Sequence, residues 1–133
     1  MTEIAIIRCE KNLEKCPLKN CLQSLVKQKQ AFVQYENAIP AGVFVCKCPG
    51  DNAVNLAKVL KSKGAEVIHF TTCTFATKTA GGWSAENGGF CENIDRILET
   101  VSRESGIPCV KGTAHLPKGY VPAIPDLVHK QFV

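Results

Sequence analysis

The chain has 133 residues, 45% of them hydrophobic and 21% charged, with a formal net charge of +4. That length suffices for one domain with its own core, and no apolar run approaches the ~18 residues a membrane helix needs. The lysines are scattered rather than massed, with few aromatics between them, which argues against nucleic-acid binding.

The opening stretch, MTEIAIIRCEKN, lacks a basic lead-in and a long apolar centre, so it reads as the first strand and not as a secretion signal. Cysteine is the outlier, with 8 residues. A small secreted protein with so many would be read as disulfide-stapled. With a core of adequate size and no signal, a cytoplasmic, reducing location is expected, where many thiols more often mean metal or redox chemistry.

In chain order, IAIIRC (4–9) reads as a buried strand. LKNCLQSLVKQKQAFV (18–33) reads as a helix with Leu18, Cys21, Leu22, Leu25, Val26, Phe32 and Val33 on its apolar face. AGVFVC (41–46) is a second strand, and DNAVNLAKVLKSKG (51–64) a helix with Asp51 as N-cap and Gly64 as its stop. EVIHFTTC (66–73) is the third strand. TFATKTAGGWSAENGGF (74–90) is a long loop, and CENIDRILETVSRESG (91–106) a third helix striped by Ile94, Ile97, Leu98 and Val101. PCVKGT (108–113) is the fourth strand. Residues 114–133 form a proline-interrupted tail in which DLVHKQF suggests a short helix.

The alternation predicts a single α/β domain over residues 1–133. It has a small parallel sheet of about four strands in the order 2-1-3-4, with helices on both faces, a Rossmann- or flavodoxin-like three-layer arrangement. Ligands of such sheets sit beyond the carboxyl ends of the strands. Cys9, Cys46, Cys48 and Cys73 fall at the ends of three neighbouring strands, Cys16 in the loop after the first, Cys91 at the opening of the third helix and His115 after the fourth strand. These residues are expected to meet at one edge. Cys109 begins a strand and belongs to the opposite edge; it and Cys21 are expected to pack as small hydrophobes. His69 is expected in the core and His129 at the surface. Trp83, in the glycine-rich loop, suits a lid over the site or a docking residue.

The spacing favours thiolate chemistry. Cys48 and Cys91 lie where helices begin, and a helix N-terminus lowers a thiol's pKa. Arg8, Lys15 and Lys47 adjoin cysteines and would offset their negative charge. Seven donors exceed the four of one structural zinc. The expected groups are therefore zinc, an iron–sulfur cluster, a two-metal site, or a metal beside a free redox pair. The alternative is a metal-free thiol oxidoreductase using Cys48 with Cys46 or Cys9. A cysteine-dependent phosphatase or arsenate reductase needs an arginine six positions after its cysteine, and Lys15, Asn52 and Thr79 stand there instead. No phosphate-binding glycine motif follows a strand.

With these residues laid out, the chain resembles the CGGC-domain family of small proteins associated with metal binding. The family's first strand ends in Arg-Cys, matched by Arg8 and Cys9, followed by Cys16. Its central Cys-Gly-Gly-Cys-Pro-Gly falls on VCKCPG. Cys73, Cys91 and His115 match its later cysteines and histidine. The resemblance implies a metal site built from these residues, zinc being the usual suggestion, and names no reaction. One position departs: aligned on Cys-Pro-Gly, Val45 stands for the first central cysteine and Cys46 for a glycine. The expected ligands are Cys9, Cys48, Cys73 and Cys91, then Cys16, Cys46 and His115. The partner is the metal ion, with neither nucleic acid nor membrane; the tail offers a surface for a homo-oligomer.

Overall fold

The computed structural model of the protein describes residues 2–125. In chain order the elements are β1 (Thr2–Cys9), α1 (Lys19–Lys27), β2 (Ala38–Cys46), α2 (Ala53–Ser62), β3 (Val67–Phe70), β4 (Thr77–Thr79), β5 (Gly82–Ser84), α3 (Ile94–Ser105) and β6 (Cys109–Lys111). The main sheet has the order β2-β1-β3-β6, with every neighbouring pair parallel, and β4 and β5 form a separate antiparallel hairpin. This is the α/β layering and strand order that the alternation predicts. No helix among the described residues is long and apolar enough to cross a membrane.

Alternate residues of a strand face opposite sides of the sheet. Ala5 and Ile7 of β1 join Ile68 and Phe70 of β3 in packing against Ala57 and Leu60 of α2 and Ile97 and Val101 of α3. Ile4 and Ile6 join Val67 and Val110 against Leu18, Cys21 and Leu25 on the α1 side. The sheet is thus covered on both faces, and every side chain at a strand end belongs to one face or the other.

The pairing of β1 with β2 contains an irregularity. Ile4 lies opposite Pro40 but Ala5 lies opposite Gly42, so Ala41 is left over. From there the register runs to Cys9 opposite Cys46; without the extra residue Cys9 would face Val45. Gly42 has φ +145°, and a Cβ there would lie 3.3 Å from Leu60 Cδ2. β2 is also one of the two edge strands, which is where Pro40 is tolerated.

Several boundaries differ from the sequence expectation. The first helix ends at Lys27, not residue 33, because Gln28 turns left-handed at φ 55° and its side-chain amide donates to the carbonyls of Tyr35 and Glu36. A 3-10 turn, Gln30–Phe32, follows. Val26 and Val33 are consequently about two-thirds exposed (65% and 66%), and Leu22 is exposed as well, while Leu18, Cys21, Leu25 and Phe32 are buried. α2 starts at Ala53, not Asp51, with Asn52 in the N-cap position; its amide instead bridges Lys47 N and Val45 O, at 2.9 and 3.0 Å. The third strand stops at Phe70, and Cys73 lies on a 3-10 turn, Thr72–Thr74. α3 begins at Ile94, three residues beyond Cys91, and ends at Gly106 as expected. The fourth strand of the sheet is only Cys109–Lys111. The long loop contains the β4–β5 hairpin. The expected short helix in the tail, and His129, lie outside the described residues.

His69 is fully buried beneath the α1 layer. Its Nδ1 donates to Gly112 O at 2.7 Å, its Nε2 accepts from Tyr35 Oη at 2.7 Å, and its ring packs on Phe32 with centroids 4.6 Å apart. Burial lowers its pKa from 6.5 to about 4, the Gly112 bond opposing part of the fall. The unfolded chain therefore takes up this proton first as pH drops. The stability that neutral His69 contributes is present above pH 6.5, declines below it and is exhausted near pH 4. Urea unfolding at pH 7 and pH 5 is expected to differ by about 2 kcal/mol from this group, and the difference should shrink in His69→Gln. Separately, Gly42→Ala is expected to cost about 1–2 kcal/mol by the same measurement.

Candidate functional site

The thiols at the carboxyl end of the sheet divide between two cavities, one on each face. Cys9, Cys46, Cys48 and Cys91 line a cavity of about 240 Å³ on the α2/α3 face, together with Arg8, Lys11, Gly50, Phe90 and Ile97. Cys16, Cys21 and Cys73 line a second, of about 510 Å³, on the α1 face, together with His115 and Trp83. Phe90 borders both. The expectation of one convergent edge is thus met for the strand ends, but the side chains point to opposite sides of it. Cys109 lies at the other edge, as expected, opposite Ile68 at the start of β6.

In the first cavity, the β1–β2 register brings Cys9 and Cys46 side by side on one face. The loop after β2 then turns back through Cys48 and a cis Cys48–Pro49 bond. Gly50 closes this turn, its N–H donating to Lys47 O at 2.6 Å. Its φ is +105°, and a Cβ there would sit 2.4 Å from Ile97 Cδ1, so only glycine lets α3 approach the loop. Glu10 fastens the loop from β1's side, accepting from Cys48 N at 2.5 Å. Cys91 is held by its N–H donating to Thr74 O at 3.0 Å.

Burial sets the electrostatics here. It pushes the Cys46 thiol up to about 12, with Cys91, Cys9, Cys48 and Glu10 adding to the rise. It also raises Cys9, opposed by the Lys11 amide and reinforced by Cys48 and Cys91. Four thiols this close disfavour one another's ionisation unless a positive charge joins them. One buried cation is near. Arg8 donates through Nη2 to the carbonyls of Asn12 (2.8 Å) and Cys16 (2.6 Å), while its buried Nε has no partner. The ion pairs among the described residues, Arg103–Glu99 and Lys111–Asp95, do not include it.

In the second cavity, Cys73 Sγ lies 3.4 Å from Asn12 Nδ2 and 3.2 Å from Thr71 Oγ1, and Cys21 Sγ lies 3.1 Å from Thr113 Oγ1. Burial raises both thiols, and these bonds oppose the rise. Cys16 Sγ accepts from Leu18 N at 3.4 Å. His115 stacks on Trp83 with centroids 5.0 Å apart and an interplanar angle of 7°.

A thiophilic ion suits the donor set of the first cavity, which joins four sulfurs to a buried guanidinium lacking a carboxylate. The donors are not drawn into a closed set: among the described residues, no three His, Cys, Asp or Glu side chains are placed to hold a metal ion. Neither Cys48 nor Cys91 opens a helix, since α2 begins at Ala53 and α3 at Ile94. Glu10, Asn12 and Phe90 escaped the sequence reading. Glu10 and Asn12 follow a cysteine-ended strand and carry no motif, and Phe90 reads as any loop aromatic.

Of the eight free thiols only Cys48 is exposed, whereas burial pushes Cys109 up to about 12. Brief iodoacetamide treatment at neutral pH, followed by peptide mapping, is therefore expected to label Cys48 first, the half-buried thiols, Cys109 among them, more slowly, and the buried Cys9 and Cys21 last. Labelling of Cys109 as fast as Cys48 would contradict this burial pattern.

Comparison with known proteins agrees with the cysteine pattern. No curated protein and no solved structure matches the chain. The model of one family, described as the CGGC domain, matches residues 3–114. By that match, which spans most of its length, the chain belongs to the CGGC domain family.

Proposed function

We propose that the chain binds a thiophilic metal ion, zinc in the first instance, through Cys9, Cys46, Cys48 and Cys91. The observation that carries the reading is the gathering of four thiols from three separate segments on one cavity beyond the sheet's carboxyl end. Family membership points the same way. Bound zinc would supply either a structural clamp or a Lewis acid. The chain's own residues do the rest. Glu10 and Asn52 hold the Cys46–Cys48 loop, Gly50 admits α3, and Lys11, whose charge favours the Cys9 thiolate, offsets the charge of thiolates. An iron–sulfur cluster is the other group that this donor set accommodates. Free thiols in this number suit the reducing cytoplasm.

A metal-free thiol oxidoreductase is the second reading. It is favoured by the exposure of Cys48 beside the half-buried Cys46 and buried Cys9, and by the absence of a closed ligand set among the described residues. In it, the Cys48 thiolate would attack an external disulfide and Cys46 or Cys9 would resolve the mixed disulfide, releasing the second external thiol.

Elemental analysis and an absorption spectrum of protein purified without oxygen or chelator separate the readings. The expected result is about one zinc per chain with no visible bands. Cys46→Ser or Cys48→Ser should lower the content, and Cys109→Ser should leave it unchanged. Cys73→Ser tests whether the second cavity contributes a ligand. Iron with sulfide would replace zinc by a cluster, and no metal with rapidly titrating thiols would overturn the proposal in favour of the oxidoreductase.

A further inference from the structure

The cavity on the α1 face is the larger of the two, and the four-thiol site makes no use of it. Its volume of about 510 Å³ falls in the range of small-molecule pockets, about 300–1,000 Å³. We propose that it is a separate binding site for a small, flat, largely apolar molecule, an aromatic or heteroaromatic ring system, seated against Trp83 beneath the β4–β5 hairpin.

The polar atoms of its floor are already engaged. Thr72 Oγ1 donates to Ala114 O, Thr113 Oγ1 pairs with Cys21 Sγ, and Cys73 Sγ is bracketed by Asn12 and Thr71. A strongly polar or charged ligand would compete with these bonds and would lose its hydration. What the floor presents is methyl, sulfur and aromatic surface, which suits dispersion contact. One wall is the Trp83 indole, held parallel to the His115 imidazole, which Asn20 Nδ2 meets at Nε2 at 3.0 Å. A flat ring stacks on such a surface with a gain that a branched aliphatic group lacks.

Charge narrows the class further. Lys78, opposite Trp83 in the hairpin and exposed, is the one lysine or arginine among the lining residues, which include no carboxylate. One acidic group on the ligand would therefore be accepted at the mouth. Phe90 borders both this cavity and the four-thiol site, and its segment is fixed from below. Phe90 N donates to Cys73 O at 2.9 Å, and a Cβ on Gly89 would lie 2.3 Å from that same oxygen.

Trp83 is the chain's single tryptophan, so its emission reports this cavity without background. Two probes test the class: the neutral N-phenyl-1-naphthylamine and its anionic analogue 8-anilinonaphthalene-1-sulfonate. Both are expected to bind saturably, one per chain, quenching Trp83 and receiving its excitation energy, while near-ultraviolet circular dichroism stays native. Thr77→Phe, at an exposed lining position, should weaken both by about tenfold or more. Lys78→Glu should weaken only the anionic probe. Lys58→Ala, at an exposed position of α2 outside both cavities, should change neither. The proposal is overturned if neither probe saturates, or if Thr77→Phe leaves both affinities unchanged. It is also overturned if zinc displaces the probes in a manner that requires His115, because the cavity would then be a second ion site.

Discussion

The chemistry at the sheet's edge depends on one surplus residue. Ala41 has no partner in the β1–β2 ladder, and everything after it is shifted by one. Side chains alternate along a strand, so the shift decides whether a cysteine on β2 shares a face with Cys9 or points away from it. With the surplus residue in place, Cys46 is the neighbour of Cys9, and the following turn can bring Cys48 to the same space. Gly42 makes the irregularity possible by adopting a backbone angle that other residues resist.

A parallel sheet with helices on both sides has two sets of strand-end side chains, not one. Cys9 and Cys46 follow the parity of Ile7 and Phe44 and join the α2/α3 side. Cys21 of α1 joins the other side, where Cys16 packs as well. The consequence is electrical as well as spatial. Burial raises these thiols, Cys46 feels Cys91, Cys9 and Cys48, Cys21 feels Cys16, and Cys73 feels both Cys21 and, across the divide, Cys9. Arg8, anchored on Cys16 O and bordering the four-thiol cavity, is the positive charge set between them.

The strand order was legible because apolar runs and helical stripes alternate cleanly, and Ile94, Ile97 and Val101 do form α3's buried stripe. The end of α1 was not, since Gln28 breaks the helix by a left-handed turn without glycine or proline to announce it. The hairpin in the glycine-rich segment was hidden because TKT and GWS lack apolar alternation and pair only with each other. Topology alone located the cysteines at one edge; it did not divide them, because Cys73 lies on a 3-10 turn whose direction no strand parity dictates. Glu10 shows the same limit, since its role arises from a partner 38 positions away.

The outer position of β2 adds a mechanical meaning to the cavity. This strand hydrogen-bonds to the sheet on one side only, through β1, and it delivers Cys46 and the loop bearing Cys48. Cys9 and Cys91 belong to the sheet interior and to the segment leading into α3. An edge strand leaves a row of backbone groups unpaired, and few buried contacts with exposed backbone hydrogen bonds favour local opening and amide exchange. Any link drawn between these four sulfurs would act as a stitch across that seam, fastening an edge strand to the body of the domain. Occupancy of the cavity and slow exchange of the β2 amides would then be two readings of a single event.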